Sequence, residues 1–514
     1  MTGHVARWKL WAAGIALYAA VAWWGMPAEA EARQKKGEEK PAGKSGTSAT
    51  PLFYPASNCE NAGCHGGSPP KKWVKDKDLL CRCTEAEQWK TTDKHADAYT
   101  GLTKKLGKQM ARILGYDVTK AKACLTCHAV WFDDPVVRKD SEDVGFDIKE
   151  GVSCVACHGA YLEWIGAHGI LANAGKFRPL DRKVKWEKYG MKDLWDPLAR
   201  AELCTSCHVG NAAEGKFVTH EMYAAGHPPL PGFELATFSN EMPRHWQYLR
   251  EKKPKVAEEL GLRPGELEET QLVLVGAAIS LRDAMSLIAD DGKKNAALDL
   301  SHFDCLACHH DLKADSWRRV RGYGTGKPGR VPMRPWSPEL VRLAIKALPQ
   351  ASVAGQSATF EKLLAAVTGA FDAQPYGDAK TASTAAAALA RFADGLARKL
   401  NRPALVTRKD AQSLLASFPS TFQTDRRLLD HDQARQAAWS FEVIHNELLA
   451  TGMRKDDKAA TALAGIGKSL KLRLPDKKRS LEADYPDALK RMNDYDPRDN
   501  KSLLSGLRLS PKGE

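Results

Sequence analysis

Residues 151–168 read GVSCVACHGAYLEWIGAH and place Cys154, Cys157 and His158 in the spacing C-x-x-C-H, with His168 ten residues further on. Two thiols at this spacing can add to the two vinyl groups of one haem, and a histidine directly after the second cysteine then reaches the iron from one face. A redox dithiol or half of a zinc site also uses C-x-x-C, but neither chemistry requires this histidine. The stretch therefore predicts covalent attachment of a haem.

The same motif occurs four times in the chain. Four copies rule out coincidence and predict a multihaem cytochrome c. The motif residues are Cys124, Cys127 and His128; Cys154, Cys157 and His158; Cys204, Cys207 and His208; and Cys305, Cys308 and His309.

A fifth, longer motif precedes these four. Cys59-Glu-Asn-Ala-Gly-Cys64-His65 has two more residues between the cysteines, but the histidine still follows the second thiol. We expect a fifth attachment site here, with a disulfide or another metal site as the alternatives. The cofactor prediction is thus five covalently attached haems c. Of the 12 cysteines only Cys81 and Cys83 remain, so the pattern is not that of a disulfide framework.

Each iron has a second axial position. A distal histidine there gives a low-spin electron carrier, whereas an open position can bind a small ligand. His168 follows its own motif too closely to reach the far face of the same haem, so we expect it to serve a neighbouring one. His431 and His445 lie on helical patterns that favour a structural role. The predicted distal ligands are His95, His168, His220, His227, His245 and His302.

The N-terminus has the pattern of an export signal. Arg7 and Lys9 precede an apolar run at 10–26, and small residues offer cleavage sites after Ala30 or Ala32. Residues 1–32 are therefore predicted to be a signal peptide, and the polar residues 33–50 a disordered linker. An uncleaved membrane anchor is the alternative. Both interpretations place the folded part in the periplasm.

The rest of the chain divides by composition. Residues 51–330 hold every motif among short helical segments, and we expect a mainly α pentahaem domain that wraps around stacked haems. Residues 331–475 lack cysteine and show helical spacing, which predicts a separate C-terminal helical bundle. Residues 476–514 form a charged tail. The predicted longer helices span 266–290, 335–348, 358–371, 384–400, 409–418 and 433–449.

The charge of the chain is strongly positive. The formal net charge is +13, yet Lys and Arg are scattered and no basic recognition helix is present, so nucleic acid is not an expected partner. Haem propionates lower this charge by about one unit per haem. A basic surface would steer an acidic or membrane-associated redox partner, or an anionic small substrate; a merely solvated face is the alternative.

The order of motifs resembles the tetrahaem cytochrome c-554 family of nitrogen metabolism, whose haem packing is shared with hydroxylamine oxidoreductase. The resemblance covers roughly 51–210 and rests on the first haem motif, a Trp-led helix with His95 and the stretch Gly151–Gly159. It implies a helical wrap around closely spaced haems that relay electrons in the periplasm. It also implies that the haem on Cys124, Cys127 and His128 can lack a distal ligand.

Three functions follow from these patterns. The first is an electron-transfer protein with mostly bis-histidine haems, and the second is an oxidoreductase acting on nitric oxide or hydroxylamine at one five-coordinate haem. A count of axial ligands separates them, because catalysis requires an iron without a sixth protein ligand. In the third, compatible with the first, the bundle docks the chain to a larger respiratory complex.

Overall fold

The computed structural model describes residues 52–61, 64–67, 83–171, 176–177, 180–263, 265–309, 312, 327–334, 338–423, 430–453, 460–461 and 463–465. From residue 52 onward they belong to one compact unit. The predicted signal peptide, linker and charged tail lie outside the described residues, as does Cys81.

The described part is mainly α-helical, as predicted. It contains no β-strand, and only two isolated β-bridges pair Asn211 with Lys216 and Phe303 with Met333. The helices up to residue 263 are α1 Glu85–Thr92, α2 Ala98–Thr103, α3 Lys105–Leu114, α4 Lys122–His128, α5 Pro135–Asp143, α6 Cys154–His158, α7 Tyr161–Gly166, α8 Arg182–Tyr189, α9 Pro197–His208, α10 His220–Ala225, α11 Leu235–Glu241 and α12 Pro254–Glu259. Short 3₁₀ turns cover Ala56–Asn58, Lys94–Asp97, Ile148–Glu150, Leu249–Glu251 and Leu300–His302, and a π-helical turn covers Ala167–Leu171.

Local sequence signals explain how these helices begin. Asp196 caps α9 by accepting a hydrogen bond from the Ala199 amide at 2.8 Å, and Pro197 occupies the first helical position. Asp134 and Pro135 start α5 in the same way. Aspartate satisfies an orphan amide, and proline has no amide to leave unsatisfied.

The helices after residue 263 are longer. Their bounds are α13 Glu268–Lys294, α14 Cys305–Cys308, α15 Pro338–Lys346, α16 Gln350–Asp372, α17 Ala379–Leu400, α18 Arg408–Gln423 and α19 His431–Ala450. Apart from the short α14, they correspond to the six helices predicted from apolar spacing. Among the described helices, α13 has the length and apolarity to cross a membrane, but most of its apolar window is buried inside the protein.

Helix α13 is the centre of the largest core. It packs against α17, α9, α15, α11 and α19. Leu272, Val275 and Ile279 are almost fully buried in one apolar cluster whose members come from both sides of residue 330. The predicted boundary at 330 therefore does not coincide with a break in packing. The third C-x-x-C-H motif, with Cys204, Cys207 and His208 at the end of α9, lies on a helix that packs directly against α13.

Candidate haem sites

Each C-x-x-C-H motif lies on or at the end of a short helix. In α4, α6, α9 and α14 the two cysteines are three residues apart, so both thiols project from one helix face. We number the sites by their order in the chain. Site 1 contains Cys59, Cys64 and His65; site 2 Cys124, Cys127 and His128; site 3 Cys154, Cys157 and His158; site 4 Cys204, Cys207 and His208; and site 5 Cys305, Cys308 and His309.

Every motif histidine faces one other histidine across a short gap, and the five gaps are nearly equal. The ring centroids are 6.0 Å apart for His65 and His168, 6.3 Å for His128 and His227, 6.5 Å for His158 and His245, 6.2 Å for His208 and His95, and 6.4 Å for His309 and His220.

This spacing fits one iron between two imidazoles. A metal–nitrogen bond of about 2.0 Å plus about 1.1 Å from nitrogen to ring centre, taken twice, gives roughly 6.2 Å. Aromatic rings in direct contact also lie about 4.5–7 Å apart, so the distance at one pair is not specific to a metal; its recurrence at all five motif histidines is what points to a shared ligand. The residues present thus fit a haem iron at each motif, with the cysteines beside it for covalent attachment.

Four of the paired histidines have a hydrogen-bond acceptor at Nδ1. An acceptor at Nδ1 fixes the ring and leaves Nε2 for a metal. Side-chain carboxylates serve two rings and backbone carbonyls two others. The contacts at Nδ1 are His65 to Glu85 at 2.9 Å, His95 to Asp93 at 2.9 Å, His128 to the Ala98 carbonyl at 2.9 Å and His227 to the Pro228 carbonyl at 2.8 Å.

Burial keeps most of these imidazoles neutral. It lowers the pKa of His158 to about 3 and the pKa of His168, His208 and His227 to about 4. Burial acts in the same direction on His65, but the Glu85 carboxylate outweighs it and the pKa is raised. A neutral imidazole has the lone pair that iron requires, so His158, His168, His208 and His227 are ready to bind metal at neutral pH.

Two glycines shape the stretch 151–159. Gly151 has φ 74°, and a Cβ there would lie 2.7 Å from the His95 carbonyl oxygen. This close approach lets the Val152 amide donate to the same oxygen at 3.0 Å. Gly159 has φ 93° and lies equally close to the Gly190 carbonyl. Only glycine accepts both the backbone angle and the contact. As a result His95, which faces His208 of site 4, is tied to site 3.

Contacts between sites define their order in space. The side chains of Cys59 and Cys154 lie close enough to interact, so site 1 adjoins site 3. The thiols of Cys127 and Cys207 likewise join site 2 to site 4. The contact of Val152 with His95 joins site 3 to site 4.

Site 5 is joined to the other sites through α10. His220, at the start of this helix, faces His309, whereas His227, just beyond its end, faces His128 of site 2. The order of sites in space is therefore 1, 3, 4, 2, 5.

His302 lies apart from these pairs. Its buried ring stacks on Phe217 at 5.0 Å, and Nε2 is 3.2 Å from the Asp291 carboxylate. All five motif histidines already face another histidine, so this placement does not support the predicted ligand role of His302. The buried contact between His302 and Asp291, near α14, explains the presence of a histidine at this position instead. His431 and His445 are both buried on α19.

Two other expectations about ligands can be compared with the geometry. The family resemblance implied an open position on the second haem, but here His128 of site 2 faces His227. For the C-x4-C-H motif the alternatives were a disulfide or another metal site. Cys59 and Cys64 are free thiols, and within the described ranges no cluster of three or more metal-ligating side chains is present.

Several residues of the sites were not recognised in the sequence. Glu85 and Asp93 orient their histidines, and His168 is packed between Trp164 at 5.5 Å and Phe177 at 5.3 Å. The Trp-led segment around His95 contained a signal, because an aspartate two residues before a histidine can reach its Nδ1. The pairing of each histidine with a distant motif had no signal in the sequence.

One segment of the chain, which contains two of these sites, matches a known protein family. Residues 79–159 match the model of cytochrome c554 and c-prime. No curated protein and no solved structure is significantly similar to the chain. The matched segment contains the motifs of sites 2 and 3 together with His95, and it is similar to c-type cytochromes that bind haem covalently and transfer electrons.

Proposed function

We propose that this c-type cytochrome carries five haems c with two histidine ligands each, and that it relays electrons in the periplasm between redox partner proteins. The observation that supports this most strongly is the set of five histidine pairs with centroid spacings of 6.0–6.5 Å. Haem supplies a reversible one-electron carrier at each pair. The protein supplies the order 1, 3, 4, 2, 5, in which neighbouring sites are joined by adjacent cysteines, a backbone hydrogen bond or a short helix.

The periplasmic location is supported by the N-terminal pattern and by the chemistry of attachment. Haem c is attached after export, and the chain begins with a basic segment followed by an apolar run. The basic net charge favours acidic redox partners.

Oxidoreductase activity on a small nitrogen species is the weaker candidate. It requires an iron with one protein ligand, and each motif histidine in the described part of the chain faces a second histidine. No site is therefore favoured for substrate binding.

The test combines haem counting with EPR of the oxidised protein. We expect five haems per chain by pyridine haemochrome and only low-spin ferric signals, unchanged by nitric oxide. A high-spin signal from one haem that disappears with nitric oxide would instead favour the oxidoreductase.

A pair of variants tests the ligand assignment. His227→Ala should convert one haem in five to high spin, because His227 is the proposed distal ligand at site 2. His302→Gln is the matched control, since it removes a buried histidine that pairs with Asp291, and its haems should stay low-spin. High-spin haem in His302→Gln together with none in His227→Ala would contradict the assignment.

A further inference from the structure

Helix α8 covers the distal side of site 1. Phe177 stacks on His168 with a centroid distance of 5.3 Å and an interplanar angle of 15°. Lys185, buried in the inner face of α8, places its ammonium 5.4 Å from the Phe177 ring. Tyr189, at the end of α8, meets the same ring at 5.9 Å. One layer of aromatic side chains therefore separates this helix from the proposed axial ligand.

The helix is fixed in this position at both ends. Arg182 forms an ion pair with Asp193 at 2.8 Å, which connects the start of α8 to the segment after it. Gly190 ends the helix in the left-handed conformation, and the Lys192 amide donates to the His158 carbonyl at 3.1 Å. The helix is thus anchored to site 3 as well as to site 1, and its outer face has a defined orientation.

That outer face combines exposed apolar side chains with positive charge. Trp186 is 48% exposed and Val184 is 38% exposed. Lys183 and Lys188 are exposed beside them, and Lys183 forms an ion pair with Glu187 at 3.6 Å. Exposed tryptophan within a charged rim is typical of binding surfaces, because the ring supplies contact area and the charges guide association.

We propose that the outer face of α8 is the docking surface for an acidic redox protein that exchanges electrons with site 1. The inference rests on the proposed electron-relay function. Site 1 is an end of the spatial order 1, 3, 4, 2, 5, so a partner on α8 would reach the relay at its terminus. The basic rim selects an acidic partner by charge complementarity, and Trp186 provides the apolar centre of the contact.

Helix α3 offers a matched control surface. It has exposed Lys105, Lys108 and Arg112, and Ile113 is 57% exposed. It packs against α10, whose following residue His227 faces site 2. Site 2 is in the interior of the spatial order, so α3 resembles α8 in charge and exposure but does not lie at an end of the relay.

The experiment uses the full haem-loaded protein and a reduced plant-type ferredoxin as an acidic probe, with rates measured by stopped flow at several ionic strengths. Lys183→Glu combined with Lys188→Glu should lower the second-order rate constant at low salt by about tenfold and remove most of its salt dependence. Trp186→Ala should lower the rate about threefold with the salt dependence retained. Lys105→Glu combined with Lys108→Glu should stay within about twofold of the parent.

A neutral flavin radical serves as a second reductant that needs no docking surface. Equal flavin rates in all variants would show that the haems are intact, so that a slower reaction with ferredoxin reports docking. An unchanged ferredoxin rate in the α8 variants would overturn the docking proposal and leave the relay function in place. Failure of both reductants to reduce the parent protein would contradict the relay itself. Sedimentation tests whether the parent protein self-associates through the outer face of α8. If Trp186→Ala abolishes self-association and leaves the ferredoxin rate unchanged, a second copy of the chain occupies this face, and the docking proposal is overturned.

Discussion

Two regions of the molecule differ in how their interiors are packed. The first consists of residues 83–263, and the second consists of the helices α13 and α15–α19. In the first part, which we call the haem-site region, buried apolar residues form small clusters such as Leu102 with Met110 or Phe132 with Phe146. In the second part, which we call the helical core, they form one large cluster along α13, to which α9 and α11 of the haem-site region contribute. A porphyrin is a large apolar body, so a chain that folds around haems needs fewer apolar contacts of its own. The two regions should therefore respond differently to loss of haem and to loss of a core contact.

The largest effect should follow removal of one attachment site. Cys154→Ser combined with Cys157→Ser should reduce the haem count below five and make the haem-site region sensitive to protease, because site 3 adjoins both site 1 and site 4. The helical core should survive as a resistant fragment. Pyridine haemochrome and limited proteolysis with mass spectrometry measure both results. Cys83→Ser, outside the motifs, is the control. Equal protease sensitivity of the two regions in the variant would contradict the expectation that only the haem-site region depends on haem for its stability.

The helical core should instead depend on a buried carboxylate. Glu447 accepts hydrogen bonds from the Glu269 amide at 2.8 Å, the Thr270 amide at 2.7 Å and Arg250 at 3.0 Å, at the start of α13. Glu447→Gln would place an amide group against these donors and leave the Arg250 charge without this partner. We expect a loss of roughly 3 kcal/mol in the free energy of unfolding, since breaking a buried pair typically costs this much.

Thermal unfolding measures that loss, as a fall in Tm of about 10 °C. Glu442→Gln changes an exposed glutamate on the same helix and should leave the Tm within about 2 °C of the parent. The low-spin haem signals of both variants should match the parent at room temperature. Selective loss of haem in Glu447→Gln, with no change in Tm, would show that the helical core is not an independent source of stability.

A smaller effect is expected where the two regions meet. Asp283 of α13 accepts a hydrogen bond from the Thr205 hydroxyl, within the site 4 motif, at 2.5 Å. A negative charge stabilises the oxidised haem, so Asp283→Asn should raise the reduction potential of one haem by roughly 30 mV, as expected for one charge at moderate distance in a protein. Potentiometric titration followed by visible spectroscopy measures the change.

The raised pKa of Asp283 predicts how the difference in reduction potential changes with pH. Burial raises the pKa of Asp283, although Arg282 opposes the shift. The parent carboxylate therefore becomes neutral as pH falls through this raised pKa, and the difference between parent and Asp283→Asn should be largest at high pH and vanish at low pH. Asp394→Asn, which removes another of the three carboxylates paired with Arg282, is the control and should shift the potential less. A difference independent of pH would assign the effect to packing.

The sequence predicted the helical core and the haem attachment residues for physical reasons. Apolar spacing reports which face of a helix is buried, and the attachment motif must be local because both thiols bind one porphyrin. The pairing of His95 with site 4 or of His245 with site 3 depends on how distant segments come together, which spacing along the chain does not encode. His302 was predicted as a ligand because it is one of the histidines outside the motifs in the haem domain, yet Asp291 and Phe217 enclose it.

Site 5 differs from the other four sites in the angle between its two imidazole rings. The planes of His220 and His309 are inclined by 30°, whereas the ring pairs at sites 1–4 are inclined by 65°, 82°, 68° and 89°. Nearly parallel imidazoles interact with one of the two iron π orbitals and separate their energies, while nearly perpendicular imidazoles leave the two orbitals close in energy. Low-temperature EPR should therefore give one rhombic low-spin signal, and the remaining haems should give broad signals at larger g values. His220→Ala should remove the rhombic signal, and His245→Ala should remove one broad signal instead. A rhombic signal that survives His220→Ala would place the near-parallel pair at another site and would end the distinction between site 5 and the rest.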